Sequence, residues 1–438
     1  MKHEIYKSLY EHKLISIEDA INFVKSDMNL VVGMCASEPQ GIMKNLHLVK
    51  DRVKNVNIFS VLTLSPFEFY CNPEMKGHFK LTSWFHGPYA RKALADKTGT
   101  VTYVPNMLHL CVSDFLHARK PNILFGTCTP PDRHGYVSLS LGITYEKDIA
   151  ERADLVILEI NENLPRTFGD TQMHISQVNY FVEHNGDIPT LPKVTPDEIE
   201  NRIGQNIAEL VEDESTIQLG FGGIPNAAAL SLKHKKNLGV HTEMFVDSMM
   251  DLYEMGVITN RKKAFQKDKF ITTFAMGTTK LYEWLHENVA VNFQRGNWVN
   301  YPHNISQNSK MVSINTCLSV DFSGQVCSES LGINQFSGTG GQSDTAIGAK
   351  SGFDGKGKSI IACRSTAKND TISTITPTLM NGSAVTLHRS NTDYIVTEYG
   401  IAALRGRTIE ERTKALIAVA HPKFREQLIE EARKMNYV

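Results

Sequence analysis

The chain has 438 residues, 41% of them hydrophobic and 21% charged, a globular composition with enough material for more than one domain. Its 46 basic and 47 acidic residues leave a formal charge of −1, so no overall field draws in nucleic acid or an anionic membrane. A small-molecule partner is expected instead.

The opening stretch, "MKHEIYKSLYEHKLISIEDA", contains acidic residues and no apolar core, so it does not read as a secretory signal. No run reaches the ~18 apolar residues that a membrane span needs. Seven cysteines, at 35, 71, 111, 128, 317, 327 and 363, make an odd count without a CxxC pair. Neither a metal site nor a disulfide framework is expected, and a reducing cytoplasm is the expected setting.

Short Val- and Ile-rich runs alternate with amphipathic stretches along the whole chain. In the first part "NLVVGMCAS", "NVNIFSVLT", "GTVTYVPN", "NILFGTC" and "DLVILEIN" are predicted strands. In the second part "STIQLGFG", "LGVHTEM", "KFITTFAMG", "KMVSINTCL", "KSIIACRS", "SAVTLHRS" and "DYIVTEYG" are predicted likewise. Several are apolar on both faces, as in a buried parallel sheet, and helical segments such as residues 16–25 intervene. The alternation predicts an α/β fold with open, mostly parallel sheets.

Three prolines within residues 186–196, "GDIPTLPKVTP", mark a boundary, giving expected domains of residues 1–188 and 189–438. Beyond this boundary the chain repeats the pattern of its start. Ser16 to Asp19 forms a capping-box pattern before a helix, the strand "NLVVG" and the loop "GMCASEP". Thr195 to Glu198 forms another, with Pro196 at the first helical position, before a helix, the strand "STIQLG" and the loop "GFGGIP". Two similar α/β domains are expected, with ligand-binding loops at the carboxyl ends of their strands.

Several motifs carry chemistry. Residues 352–359, "GFDGKGKS", match the phosphate-loop pattern, but the strand-like "IIACRST" follows where a helix is required, so the segment reads as a hairpin. Residues 219–232, "LGFGGIPNAAALSL", are better placed. A strand ends at Gly220, glycines follow, and an Ala-rich helix begins, so backbone amides can meet a phosphate or simply make a tight turn. Residues 335–346, "QFSGTGGQSDTA", form a second glycine loop, able to aim amides at an oxyanion or merely to supply positive φ. Cys128 and His134 in "CTPPDRHGYVSL" suggest a thiol nucleophile, although a small residue at a strand end explains Cys128 as well. Glu243, in "GVHTEMFVDSMMDLYEMG", has no lysine or arginine within five residues. Asp247 or Ser248 is expected to cap the following helix, which leaves Glu243 without that task at the end of a strand.

Read together, "GFGGIPNA", "GVHTEM", "QFSGTGGQSD", "DGKGKSIIA" and "DYIVTEYGIA", with "PPDRHGYVSL" and "ADLVILEINENLPRTFGD" in the first half, resemble the acetyl-CoA hydrolase/transferase family of class I CoA-transferases. The resemblance runs nearly end to end. It implies two open α/β domains, the first walling an acyl or acceptor pocket and the second carrying the nucleophile and the coenzyme A contacts. Glu243 occupies the place of the family's nucleophilic glutamate, and an exposed glutamate there is ionised near neutral pH without a helper base. Gly220, Phe221, Gly222, Gly223 and Ile224 match the coenzyme A-contacting loop, and Gly341 matches the glycine next to the reacting thioester. Leu318 and Lys368 fall where further coenzyme A contacts lie, and Asn315 is a candidate oxyanion donor.

The implied reaction moves CoA between a short-chain acyl-CoA, 4-hydroxybutyryl or butyryl, and a carboxylate such as acetate. It proceeds through a glutamyl-CoA thioester. CoA is a substrate, and no permanently bound cofactor and no metal are expected. The partners implied are these substrates and further copies of the chain in a dimer or tetramer. The alternatives are an acyl-CoA hydrolase of the same family and a nicotinamide-dependent oxidoreductase using "GFGGIP" as its phosphate loop.

Overall fold

The computed structural model describes residues 2–438, and the five Val- and Ile-rich runs predicted in its first part become five of seven strands. The seven are β1 (Asn29–Val32), β2 (Val56–Val61), β3 (Phe79–Phe85), β4 (Val101–Tyr103), β5 (Ile123–Cys128), β6 (Leu155–Ile160) and β7 (Tyr180–Glu183). They form one parallel sheet in the order β7-β6-β5-β1-β2-β3-β4. All six residues of β5 are buried, as a strand covered on both faces requires. Leu30, Ile58, Leu81, Phe125 and Val182 share a core with Phe67, Phe69 and Phe79.

The second part builds a six-stranded sheet from β8 (Thr216–Leu219), β9 (Gly239–Val240), β10 (Met311–Thr316), β11 (Lys358–Ala362), β12 (Tyr394–Thr397) and β13 (Gly400–Ala403). Its order is β9-β8-β10-β11-β12-β13, parallel except for the edge hairpin of β12 and β13. Val320, Phe322, Ile361, Ile395, Leu404 and Leu416 lie at the centre of a second core.

Both sheets obey one winding rule. The first strand in sequence lies inside the sheet; the chain fills one side of it and then returns to fill the other. The reversal falls between β1 and β5 in the first sheet and between β8 and β10 in the second. Open α/β sheets place ligands in the crevice at the carboxyl ends of such strands.

Two compact units result, Met1–Pro192 with Thr272–Trp298 and Lys193–Ile271 with Val299–Val438. The segment Thr272–Trp298 joins the first unit through charge. Arg295 donates to Asp148 Oδ1 at 2.8 Å, Asp170 Oδ2 at 2.6 Å and Glu151 Oε1 at 2.6 Å. No helix among the described residues is long and apolar enough to cross a membrane.

Several local expectations shift. The second capping box sits two residues later, with Asp197 accepting from the Glu200 amide and Glu200 from the Asp197 amide, so the helix runs Glu198–Leu210. Helix Asp247–Glu254 starts after Val246 with no side-chain cap, not with the Asp247 or Ser248 cap expected. Residues 352–359 are not a hairpin: they link helix Gln342–Lys350 to β11, which pairs in parallel on both sides. A helix before and a strand after is the reverse of a phosphate loop. The predicted strand "SAVTLHRS" makes one isolated bridge, because the amides of Thr386 and Leu387 both bond to Val326 O and the chain turns there. Strand β3 went unread since Thr82 and Ser83, both buried, interrupt its apolar pattern.

Helix Glu198–Leu210 packs on helix Gly223–Ser231, the helix that follows the "GFGGIP" loop, through Gly204. A side-chain carbon there would come within 2.5 Å of the backbone carbon of Ala227 and 2.6 Å of its oxygen. Alanine gains ~1 kcal/mol of helix propensity over glycine, whereas overpacking against backbone costs ~1–3 kcal/mol. Gly204→Ala is therefore expected to lower the thermal midpoint of the second unit, measured by calorimetry, and a rise would show that the two helices can separate freely.

Candidate active site

Three loops meet at the carboxyl edge of the second sheet, around its winding reversal. The first follows β8. Gly222 has φ 128°, open to glycine, and a side chain at Gly223 would lie 2.1 Å from Glu200 Oε1. The Glu200 carboxylate therefore fills one side of the first helical turn. Gly220 to Gly222 remain as the open part of the loop, with Phe221 40% exposed and Ile224 turned into the core.

The second loop follows β9 and carries Glu243. Its backbone is fixed on both sides, by His241 N to Ile217 O at 3.2 Å and Thr242 N to Ile271 O at 2.9 Å. The third leads into helix Gln342–Lys350, which is tied to β10, the other neighbour of β8. Gln342 Nε2 donates to Thr316 O at 2.7 Å, which ties the start of helix Gln342–Lys350 to the end of β10 and sets Gly341 at the edge.

Glu243 and Gly341 meet. A side-chain carbon at Gly341 would lie 1.7 Å from Glu243 Oε2 and 2.2 Å from Asn300 Nδ2, so only glycine lets the carboxylate lie against this backbone. Asn300 Nδ2 donates to Oε2 at 2.7 Å. The amides and dipole at the start of the nine-residue helix favour negative charge beside them.

The carboxyl of Glu243 is not in the solvated state expected of a loop glutamate. Burial pushes its pKa up to about 7, the Asp344 charge adds to the rise, and the Asn300 hydrogen bond opposes it. Near neutral pH the group is thus divided between acid and carboxylate, which corrects the expectation of an exposed, fully ionised side chain. The cause is tertiary: Asn300 and Asp344 are distant in sequence and both are buried.

Beneath this pair lies a second buried group. Lys263 Nζ donates to Val240 O and Lys269 O, each at 2.8 Å, and burial lowers its pKa to about 7. His241 Nε2 is 2.8 Å from Val299 O and its Nδ1 is 3.2 Å from Asn308 Nδ2.

The other expected residues sit in settings of their own. Leu318, half-buried beyond β10, donates its amide to Cys327 O. Lys368 is exposed in the turn of the hairpin Thr366–Ala367 with Ile372–Ser373, where Lys368, Asn369 and Asp370 all have positive φ. Asn315 commits its amide protons to Gln218 Oε1 at 3.2 Å and Thr345 Oγ1 at 3.0 Å, so the amide that faces Glu243 is Asn300 instead. Cys128 is fully buried at the end of β5, and burial holds its thiol well above the ordinary range, unlike a nucleophile. Asp132 accepts the amides of His134 and Tyr136 and pairs with Arg166, shaping its loop. No group of His, Cys, Asp and Glu among the described residues could hold a metal ion.

Asn300, Asp344, His241 and Lys263 were not singled out from sequence. Two of them carried a signal, His241 by its place two residues before Glu243 and Asp344 by its place in the second glycine loop; Asn300 and Lys263 lie at positions whose local pattern is unremarkable.

Two family models match the chain, the acetyl-CoA hydrolase/transferase N-terminal domain over residues 1–192 and the C-terminal domain over residues 277–432. The 4-hydroxybutyrate coenzyme A transferase of Clostridium kluyveri is 41% identical over 430 residues, 98% of this chain and 99% of that protein. The succinyl-CoA:cyclohexane-1-carboxylate CoA transferase of Geobacter metallireducens is also 41% identical, over 99% of this chain and 98% of that protein. The crystal structure of RipA from Yersinia pestis superposes with a TM-score of 0.93 at 33% identity, covering 99% of this chain and 100% of RipA.

Because folding raises the Glu243 pKa, the group favours the folded state fully below its unfolded value, ~4.3, and this contribution is lost as pH rises through about 7. Glu243→Gln should therefore gain stability relative to wild type between those pH values, by on the order of 3 kcal/mol at the alkaline end. Potentiometric titration of wild type against Glu243→Gln should show one extra proton released near pH 7. Release near pH 4 would mean that the carboxyl is solvated.

Proposed function

The chain belongs to the acetyl-CoA hydrolase/transferase family, and on that premise we propose that it moves coenzyme A between a short-chain acyl-CoA and a carboxylate such as acetate, with Glu243 as the nucleophile. The observation that carries this reading is the Glu243 carboxylate, enclosed against the bare backbone of Gly341 with Asn300 donating to Oε2. Because Asn300 engages Oε2, we assign the attack to Oε1.

In its ionised form, Oε1 attacks the thioester carbonyl carbon, the carbon–sulfur bond breaks, and an acyl–glutamyl anhydride and CoA thiolate result. The thiolate then attacks the glutamyl carbonyl, the first carboxylate leaves, and a glutamyl-CoA thioester remains. A second carboxylate runs the steps in reverse, giving ping-pong kinetics. In each attack on the glutamyl carbon, negative charge develops on the remaining oxygen. Oε2 is that oxygen, and Asn300 Nδ2–H already points at it, so the donor is in place before the reaction.

The raised pKa suits the task. A carboxylate of higher basicity is the stronger nucleophile, and one stripped of water attacks without first shedding a hydration shell. A nicotinamide cofactor would instead need this carboxylate open to a ribose hydroxyl, and the Asn300 bond supports the transfer reading over that one. The two relatives at 41% identity are named for different acids, so we assign the acyl group by class: short-chain, with butyryl and 4-hydroxybutyryl as the first to try. We place the reaction in the cytoplasm, which suits a chain whose seven cysteines form no disulfide among the described residues. A homo-oligomer is the expected assembly, to be read from light scattering.

Enzyme mixed with butyryl-CoA without acceptor, then treated with borohydride, should yield an alcohol at position 243 by peptide mass spectrometry. CoA release with unmodified Glu243 would favour a hydrolase whose intermediate does not accumulate. No release and no adduct with butyryl-, 4-hydroxybutyryl- or acetyl-CoA would overturn the reading.

Gly341→Ala should keep its fold, since φ −96° suits alanine, yet push the carboxylate aside. The expected loss in kcat is ~10²-fold or more. An unchanged kcat would mean that the carboxylate does not react from this position.

A further inference from the structure

We propose that His241 is a positioning residue for Glu243: its ring fixes the peptide between Val299 and Asn300, and thereby the amide that holds the nucleophile. The inference rests on the glutamyl mechanism and concerns how that nucleophile is kept in place.

The ring's hydrogen bonds have one consistent arrangement. Asn308 Nδ2 donates to Ile305 O at 3.1 Å, which identifies the nitrogen side of that amide. The same nitrogen lies 3.2 Å from His241 Nδ1, so Nδ1 is the acceptor and the ring proton sits on Nε2. Nε2–H then donates to Val299 O at 2.8 Å. A second proton on Nδ1 would displace the Asn308 bond inside the core. Burial, with the Lys263 charge nearby, holds the ring neutral, its pKa near 3.

Val299 O belongs to the peptide that continues into Asn300. The Asn300 side chain is fully buried, and its Oδ1 has no hydrogen-bond partner. Nothing on the oxygen side of that amide therefore fixes it, and a flipped amide would set Oδ1 against the carboxylate. The position of the Asn300 backbone decides whether Nδ2 meets Oε2, and the His241 ring holds that backbone. The histidine's own backbone is anchored to β8 through Ile217 O. One residue thus links the strand that presents Glu243 to the segment that presents its donor.

Beneath it, Lys263 braces the same strand. Its Nζ bonds to Val240 O, and its stem fills the space left by Gly239, where a side-chain carbon would lie 2.3 Å from Lys263 Cγ. Two charged groups therefore bear on the pair: Lys263 on His241, and Asp344 on Glu243.

A core histidine with no further role would be replaceable by phenylalanine at no cost beyond stability. The test is the pH dependence of kcat/KM for wild type, Asn300→Ala, His241→Phe, the double variant and His241→Gln. Asn300→Ala loses a bond that favours the carboxylate form, so its midpoint should move alkaline from about 7, by roughly a pH unit, with kcat down ~10²-fold. His241→Phe should move the midpoint in the same direction by roughly half a unit or more and lower kcat ~10-fold. KM for the acyl-CoA should stay within about threefold of wild type, since a positioning defect falls on the chemical step. The double variant should match Asn300→Ala alone, as expected of residues acting in series. His241→Gln, whose amide can still donate to Val299 O, should recover to within about threefold of wild type.

A wild-type midpoint in His241→Phe, or additive losses in the double variant, would overturn the inference. If His241→Phe does not fold, His241→Asn asks the same question, because its shorter side chain keeps a polar group but does not reach Val299 O; an unshifted midpoint there would overturn it equally. The adduct at Glu243 separates the two failures. If wild type forms no adduct, the glutamyl mechanism falls; if it does and these profiles do not move, only the role of His241 falls.

Discussion

A half-buried carboxylate set against a glycine backbone is the constraint on which the rest of this site depends. Burial alone would keep Glu243 protonated and unreactive, and full solvation would leave it ionised but wrapped in water. The structure lies between these limits. Burial and Asp344 raise the pKa, while Asn300 holds it at about 7. Gly341 is required because any side chain would occupy the place of Oε2. Remove the glycine, the amide or the enclosure, and the group reverts to an ordinary glutamate.

The fold supplies this arrangement through its winding. Strand β8 has β9 on one side and β10 on the other. The loop after β8, the nucleophile after β9 and the helix tied to the end of β10 therefore converge at one edge without long excursions. Parallel strands make this possible, because all three carboxyl ends face the same way. Asn300 alone comes from elsewhere, directly after the short helix Gly296–Val299, and it is the donor that needs a separate anchor.

The same economy explains why buried polar residues accumulate under the site. His241, Lys263, Asn260 and Asn308 are all buried, an unusual set for a core. All four bond directly to backbone: Lys263 to two carbonyls, His241 to Val299 O, Asn308 to Ile305 O, and Asn260 to the Val240 amide. Such bonds fix the position of a short two-residue strand that has little ladder of its own to hold it.

Much of this was legible in the chain itself. The Val- and Ile-rich runs determined the parallel strands, since a strand covered on both faces must be apolar throughout, and the glycine loops were found because missing side chains are visible in any sequence. Glu243 was singled out by its strand-end position and by the motif around it. Strand β3 was missed where buried threonine and serine broke the pattern, and "SAVTLHRS" was overread because one carbonyl, Val326 O, turns that segment. What the tertiary structure alone decided was the state of Glu243. Its pKa depends on Asn300, 57 residues away in sequence, and on Asp344, and no local pattern encodes the loss of water around a side chain. The sequence by itself thus determined which residue was available to react; its enclosure, its donor and its protonation came from contacts that exist only in the folded chain.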